Sequence, residues 1–330
     1  MNAKIKGKIL ITGGAGFIGS HLLRRMLSTE GCGSVVILDD FSVGRKENLS
    51  DLIAHDGRVE MVSGDVRDGS LVESLLDGVD LVYHLAAVVG VDRVLAKPFD
   101  TWDVEVNGTK TLLEKCEATG VKRFFLASSS ECYGKYDLSK GAMKESDVVI
   151  PNTYYGQAKL ECERMCHEFN ASGRMSCVSV RYFNVYGDRQ SFNGYVIPNM
   201  INEALNNMPV RIYGDGSQGR DFVHVDDAVD ATLMLAESGH EGLYNIGYGR
   251  AIKIADLARL IIELTKSKSE IVNVPIRRPT DLESKLCDNT KIRETLGWTP
   301  SVDFIDGLKR TIEYFKRCSN ECNCSMRSSG

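Results

Sequence analysis

At 330 residues, with 43% hydrophobic and 26% charged side chains, the chain has ordinary globular composition and is long enough to bury a large core without covalent staples. That excludes an intrinsically disordered protein and counts against a fibrous one. A formal net charge of −5 counts against a nucleic-acid partner, whose phosphates are held largely by cationic neutralisation.

Lys4, Lys6 and Lys8 lead into the first apolar stretch, but it breaks at Thr12, Gly13 and Gly14, too soon for the apolar core of a secretory signal. No run approaches the ~18 apolar residues of a membrane span, so a cytoplasmic protein with no membrane partner is expected. Short apolar runs then alternate with helical patterns. Strands are expected over residues 8–12, 34–39, 59–63, 81–86, 124–128 and 177–182, and helical stretches from near Gly19, Ser70, Asp103 and Tyr154. This is the pattern of βαβ units. The expected fold class is therefore α/β: a Rossmann-type doubly wound parallel sheet, formed by residues 1–185, that binds a dinucleotide at the carboxyl ends of its strands.

After about residue 186 glycine and asparagine become more frequent and the apolar pieces shorter, as at 210–213 and 270–274. Residues 186–316 read mostly as a smaller, interleaved C-terminal substrate-binding lobe. Returns to the sheet are expected near 222–248, with a helix at 226–237 and a strand at 244–246. Residues 317–330 lose apolar periodicity and read as a flexible tail. The ten cysteines include no CxxC pair, and Cys318, Cys322 and Cys324 have no histidine near them, so reduced thiols and no metal are expected.

Three glycines carry the first chemistry. Gly13, Gly16 and Gly19 follow an expected strand and open an expected helix, where Phe17 and Ile18 also lie. Gly13 suits a tight turn, Gly16 a close backbone approach to pyrophosphate, and Gly19 close packing of helix on strand. Asp39, 20 residues after Gly19 at a strand end, is placed to accept from the adenosine ribose hydroxyls, with Asp40 second. An acid there repels a 2′-phosphate, so the expected cofactor is NAD, although Arg45 leaves NADP open. Further on, Tyr155 and Lys159 stand four residues apart and so share a helix face. A phenol beside an ammonium suits proton transfer, because positive charge favours the phenolate. His84 and His224 sit in apolar segments and read as structural, Tyr133 and Tyr186 as packing or pocket walls. Cys132 has no visible histidine partner and is set aside as a nucleophile.

Taken in order, the glycine fingerprint, the serine run Ser128, Ser129 and Ser130 followed by Glu131, and the Tyr155/Lys159 pair resemble the extended short-chain dehydrogenase/reductase family. More narrowly, the chain is similar to the NAD-dependent nucleotide-sugar epimerases and dehydratases. The resemblance spans residues 8–316 and includes the segments GDVRD at 64–68, HLAA at 84–87, VNGT at 106–109, RYFNVYG at 181–187, GDGSQGRDFVHV at 214–225 and RPTD at 278–281. It implies that Asp65 and Val66 lie against adenine, that Leu85, Ala86 and Ala87 run along the cofactor with Asn107 nearby, and that Tyr155 and Lys159 reach the nicotinamide ribose. It further implies that Ser129, with Ser130 adjacent, hydrogen-bonds the reacting sugar hydroxyl. Asn184, Arg220 and Arg278 would hold the nucleotide diphosphate, whose geometry suits guanidinium forks, and Arg211 and Tyr213 would line the sugar-nucleotide pocket with residues 192–198.

The implied chemistry begins with loss of the sugar 4-hydroxyl proton to Tyr155 and of the carbon 4 hydride. From the resulting 4-keto sugar, 4-epimerisation of a UDP-sugar is the first expectation. The alternatives are 4,6- or 5,6-dehydration and UDP-glucuronate decarboxylation, each using Glu131. A non-catalytic NAD-binding regulator is a remoter alternative, disfavoured because the tyrosine and lysine are both intact. The resemblance also implies a homodimer formed through two helices of the first domain.

Overall fold

Alternating side chains along the first strand leave on opposite faces of a sheet, and both faces are apolar. In the computed structural model, which describes residues 7–29, 31–192, 194–276 and 284–327, Ile9 and Ile11 enter one core and Leu10 the other. A strand buried on both sides is the mark of a parallel sheet covered by two layers of helix. The strands are β1 (Lys8–Thr12), β2 (Val35–Asp39), β3 (Val59–Ser63), β4 (Val79–His84), β5 (Arg123–Ser129), β6 (Ser176–Tyr182), β7 (Asn184–Tyr186), β8 (Val210–Tyr213), β9 (Gly219–His224), β10 (Gly242–Ile246), β11 (Ala251–Lys253) and β12 (Ile271–Val274). Seven of them form one sheet in the order β10-β6-β5-β4-β1-β2-β3, every neighbouring pair parallel. The fold is the expected Rossmann-type doubly wound α/β sheet.

Helices Phe17–Leu27 and Val225–Ser238 supply Leu22, Leu23, Met26 and Val225, Ala228 to one face. Helices Gly69–Leu75, Gly108–Thr119 and Tyr154–Ala171 supply Val72, Leu112, Leu113, Cys162 and Phe169 to the other. The register pairs Thr12 with His84, Asp39 with Ser63 and Ser129 with Tyr182, so the carboxyl ends of these strands come out along one edge. The helix expected from Asp103 begins instead as a π-helical turn, Asp103–Asn107, before continuing as Gly108–Thr119. Such turns are rare and concentrate at functional sites.

Strand β10 returns to the edge of this sheet beside β6. The remaining short strands make a three-stranded sheet (β11-β9-β7) and a pair (β12-β8), packed with helices Val196–Leu205 and Ile254–Thr265 around Ile201, Ile212, Phe222, Leu257 and Ile261. Phe304, Leu308, Ile312 and Phe315 anchor the last helix in that core. This helix runs Phe304–Arg327, so it covers 317–327 of the stretch expected as a flexible tail. Lost apolar periodicity ends packing, but a helix nucleated on its packed half propagates at one hydrogen bond per residue added.

Several histidines hold the layers together as neutral groups. His84 bridges Thr12 (Nδ1 to Oγ1, 2.7 Å) and Thr109 (Nε2 to Oγ1, 3.0 Å), tying β1 and β4 to a helix. Burial lowers its pKa from 6.5 to about 3, and burial likewise lowers His21 and His224 to about 4. Below pH 6.5 the unfolded chain therefore binds more protons than the folded one, so stability falls as pH drops towards 4. The loss approaches roughly 1.4 kcal/mol per histidine per pH unit. The thermal midpoint, followed across that window, is expected to fall steeply, and His84→Gln to flatten the slope; an unaltered slope in the variant rules out His84 as its source.

Among the described residues, no helix is long and apolar enough to cross a membrane, and no group of three or more His, Cys, Asp or Glu could hold a metal ion.

Candidate active site

A cavity of about 830 Å3 opens along the carboxyl edge of the large sheet and continues over the smaller core. That is at the upper end for ligand pockets, as two bound molecules require. One end of its lining includes the glycine turn. Gly13 has φ +71°, and a Cβ there would fall 2.6 Å from the Ala86 nitrogen; a Cβ on Gly19 would fall 2.4 Å from the Gly13 carbonyl oxygen. Both glycines are thus required by backbone pressed on backbone. Gly16 differs: within 4 Å its Cβ would meet only the Gly13 carbonyl, at 3.1 Å. The space this leaves lies beside the uncapped start of helix Phe17–Leu27, where free N–H groups and the helix dipole suit an anion such as pyrophosphate.

Asp39 and Asp40 border this region. Asp39 takes the Ala15 N–H on Oδ2 and the Phe41 N–H on Oδ1, both at 2.9 Å, and burial raises its carboxyl above the usual range. Each oxygen retains a lone pair for a ribose hydroxyl. Asp40 is exposed and caps Ser42. Asp65, Val66, Leu85, Ala86 and Ala87 also line the cavity, Asp65 while paired with Arg67. Asn107 does not: it is exposed, and its amide donates back to Asp103. The segment turns a different residue inward, Glu105.

Thr153 caps helix Tyr154–Ala171 by accepting the Gly156 N–H, which aims Tyr155 and Lys159 of its first turns at the cavity. Burial pushes the Tyr155 phenol above its ordinary pKa; Lys159 pulls it down and Glu105 pushes it up. Lys159 Nζ lies 5.7 Å from the Tyr155 ring centre and 2.7 Å from Glu105 Oε2. Burial is the largest influence on the ammonium and would lower it, but Glu105, followed by Tyr155 and Cys162, together raise it more, and Lys159 stays above the usual lysine value.

Ser129, the last residue of β5, and Ser130 and Glu131 in the turn that follows form another wall of the cavity. The Ser129 hydroxyl accepts the Glu131 N–H at 3.2 Å, and Glu131 Oε1 is 2.6 Å from Nζ of the buried Lys285. Behind this wall, Arg181 pairs with Glu163 at 2.7 Å and stacks over Tyr133, whose hydroxyl donates to Asn245. Cys132 is fully buried and burial pushes its thiol far up, so it is inert as a nucleophile. Asn184, Arg211, Tyr213 and Arg220 line the far end, with Phe192 and Tyr195. Arg211 is steadied by Glu203 (Nε to Oε1, 2.6 Å), and Asn184 donates to the Asp221 carbonyl. Arg278 lies outside the described residues.

Comparison with known proteins gives the family. The family described as GDP-mannose 4,6 dehydratase matches residues 10–311. The chain belongs to the extended short-chain dehydrogenase/reductase family of NAD-dependent nucleotide-sugar epimerases and dehydratases. Among members of that family, UDP-glucuronic acid decarboxylase 1 of Danio rerio is 33% identical over 96% of this chain and 74% of its own. A UDP-glucose 4-epimerase of Thermotoga maritima, solved with UDP-glucose, is 34% identical with a TM-score of 0.88, covering 94% of this chain and 99% of its own. A dTDP-glucose 4,6-dehydratase of Streptomyces venezuelae, solved with NAD, is 32% identical with a TM-score of 0.89, covering 94% of this chain and 97% of its own. This member of the epimerase/dehydratase family is thus an NAD-dependent enzyme. Its relatives include decarboxylases and dehydratases as well as epimerases, so the expected 4-epimerase reaction is not singled out.

Two residues of the site escape the sequence pattern. Glu105 looks like one more polar position in a helix, and Lys285 belongs to none of the motifs. Each gains its role from a partner far along the chain.

Proposed function

We propose that the enzyme oxidises a nucleotide sugar at carbon 4 and decarboxylates it, acting on a UDP-uronate such as UDP-glucuronate. The observation that carries the reading is the Glu131–Lys285 pair, set at 2.6 Å in the wall that also presents Ser129 and Ser130. A 4-epimerase needs no further acid or base once carbon 4 is oxidised, whereas a decarboxylase must return a proton to carbon 5. NAD, held by the glycine turn and Asp39, supplies the hydride acceptor and donor.

The protein's part begins when Tyr155 receives the 4-hydroxyl proton: the sugar O–H bond breaks, the phenol O–H bond forms, and Ser129 donates to the carbonyl oxygen as it develops. Carbon 4 is then a ketone β to the carboxylate. The bond from carbon 5 to the carboxyl carbon breaks, carbon dioxide leaves, and the electron pair passes to the enolate. A proton passes from the Lys285 ammonium through Glu131 to carbon 5 and is replaced from solvent, and Tyr155 returns its proton as carbon 4 is reduced. Arg220 and Asn184, with Arg211 and Tyr213, receive the diphosphate and nucleoside.

A second reading, 4-epimerisation of a UDP-sugar, is favoured by the likeness to the Thermotoga maritima epimerase. The test is incubation of the NAD-supplied enzyme with UDP-glucuronate, UDP-glucose and UDP-N-acetylglucosamine in deuterated water, followed by proton NMR. Carbon dioxide release and a UDP-pentose deuterated at carbon 5 are expected. Hexoses inverted at carbon 4, with UDP-glucuronate untouched, transfer the assignment to the epimerase reading.

We also infer that the enzyme works as a homodimer. Phe99 and Tyr154 are 80% and 53% exposed with ring centres 6.4 Å apart, and exposed Trp102 lies on the same short helix as Phe99. A patch of three exposed aromatics on two helices is a surface a second copy would cover. Light scattering is expected to give twice the chain mass, and Phe99→Asp the mass of one chain.

A further inference from the structure

Glu105 has no part in the reaction as proposed, yet its carboxylate is fully buried beside the proton-transfer groups. Oε2 meets Lys159 Nζ at 2.7 Å and Oε1 accepts the Val88 N–H at 2.7 Å, in the loop that runs along the cofactor region. Its own carbonyl accepts from Thr109 Oγ1 at 2.6 Å and Cys162 Sγ at 3.2 Å. The π-helical turn Asp103–Asn107 is what swings the side chain inward, so backbone and side chain are both clamped. Burying an ion pair costs several kcal/mol per charge unless geometry repays it, so the pair is a poor device for stability alone.

What it sets is the field at the phenol. Facing Tyr155 are Lys159 from its own helix, Glu105 from the π-turn, Tyr195 from the segment before helix Val196–Leu205, and Cys132 from the turn after β5. Lys159 is further faced by Cys162 from its own helix and His84 from β4. Burial keeps Tyr195, Cys132 and Cys162 protonated, with pKa values raised above their usual range, and keeps His84 neutral. The Glu131–Lys285 and Glu163–Arg181 pairs are each internally compensated. The net charge felt by the phenol is therefore decided between Lys159 and Glu105.

We infer that Glu105 is a positioning residue for proton transfer: its carboxylate fixes Lys159 as a cation and offsets that cation at Tyr155, so the base forms at a higher pH than the tyrosine-lysine pair alone would allow. This rests on the reading of Tyr155 as the base, and deepens it.

The test uses the NAD-supplied protein and two readouts: the pH profile of kcat/KM, and the ultraviolet titration of tyrosinate, taken as the difference from Tyr155→Phe. In Glu105→Gln a negative charge is gone, and with Lys159 still an ammonium the phenol gives up its proton more easily. Both readouts are expected to move down by roughly 1 to 3 pH units, so that below the wild-type limb the variant's kcat/KM is roughly tenfold or more the higher. Glu105→Asp, which keeps the charge, is expected to stay near wild type. Should the Gln variant not fold, Glu105→Asn leaves room for a water at the ammonium and reads the same shift. A limb that stays in place in the neutral variants, or that moves equally in Glu105→Asp, overturns the proposal. If no nucleotide sugar is turned over, the proposed function fails, while the tyrosinate titration still decides the role of Glu105.

Discussion

Replacing Tyr155 by phenylalanine is expected to lower kcat on the sugar substrate by roughly 10²- to 10⁴-fold, while NAD affinity and the thermal midpoint stay close to wild type. The phenol lines the cavity from the first turn of a helix whose own anchors lie elsewhere, in the Thr153 cap and in Cys162, Cys166 and Phe169 on the buried side. Removing one oxygen thus deletes the proton acceptor and little of the packing. The sign of the pH effect follows from which form reacts. The phenolate is the base, and burial raises the pKa of the phenol, so wild-type kcat/KM rises with pH as that proton is lost. Tyr155→Phe is expected to lose this rising limb as well as the rate. Steady-state kinetics across pH, set beside NAD binding and melting curves, check both parts. A variant that retains more than about a tenth of the wild-type kcat, with the limb intact, assigns the base elsewhere.

Much of this site could be read from the sequence because its parts are local. Gly13, Gly16 and Gly19 sit within a single strand-turn-helix, Tyr155 and Lys159 about one helical turn apart, and strands β1 and β3 fall where apolar runs between turn residues put them. Local spacing carries such signals in full. The lobe was harder, since β7 and β11 are three residues each and show no periodicity. The electrostatics were out of reach for a different reason. Glu105 and Lys159 are 54 positions apart, and Glu131 and Lys285 are 154 apart. A carboxylate in an apolar run reads as a solvated helix position until the fold shows a π-helical turn rotating it inward. Likewise, a phenol and an ammonium four apart imply a lowered tyrosine pKa only until burial and a buried acid are counted, and these reverse the sign.

Glu131→Gln is expected to slow release of the pentose product from UDP-glucuronate by roughly 10²- to 10⁴-fold, the range for a lost general acid, with substrate affinity little changed. The carboxamide fills the same space after β5 and still accepts a hydrogen bond from Lys285, so the serine wall, whose Ser129 hydroxyl receives the backbone N–H of residue 131, is preserved. What is lost is the carboxylate that takes a proton from Lys285 and passes it on. Loss of carbon dioxide depends on the 4-ketone made at Tyr155 and should continue, so the block falls on protonation at carbon 5. A 4-keto sugar nucleotide is then expected to build up in the proton NMR spectrum before the pentose appears, and deuterium at carbon 5 to enter without stereochemical preference. Lys285→Met is expected to slow the same step less, because Glu131 still stands in the wall but is resupplied more slowly. Under the epimerase reading neither substitution touches a reacting bond, and 4-epimerisation by Glu131→Gln at more than about half the wild-type rate would favour that reading over decarboxylation. The two variants, taken with the Tyr155→Phe result, separate the oxidation that the family shares from the step that distinguishes its members.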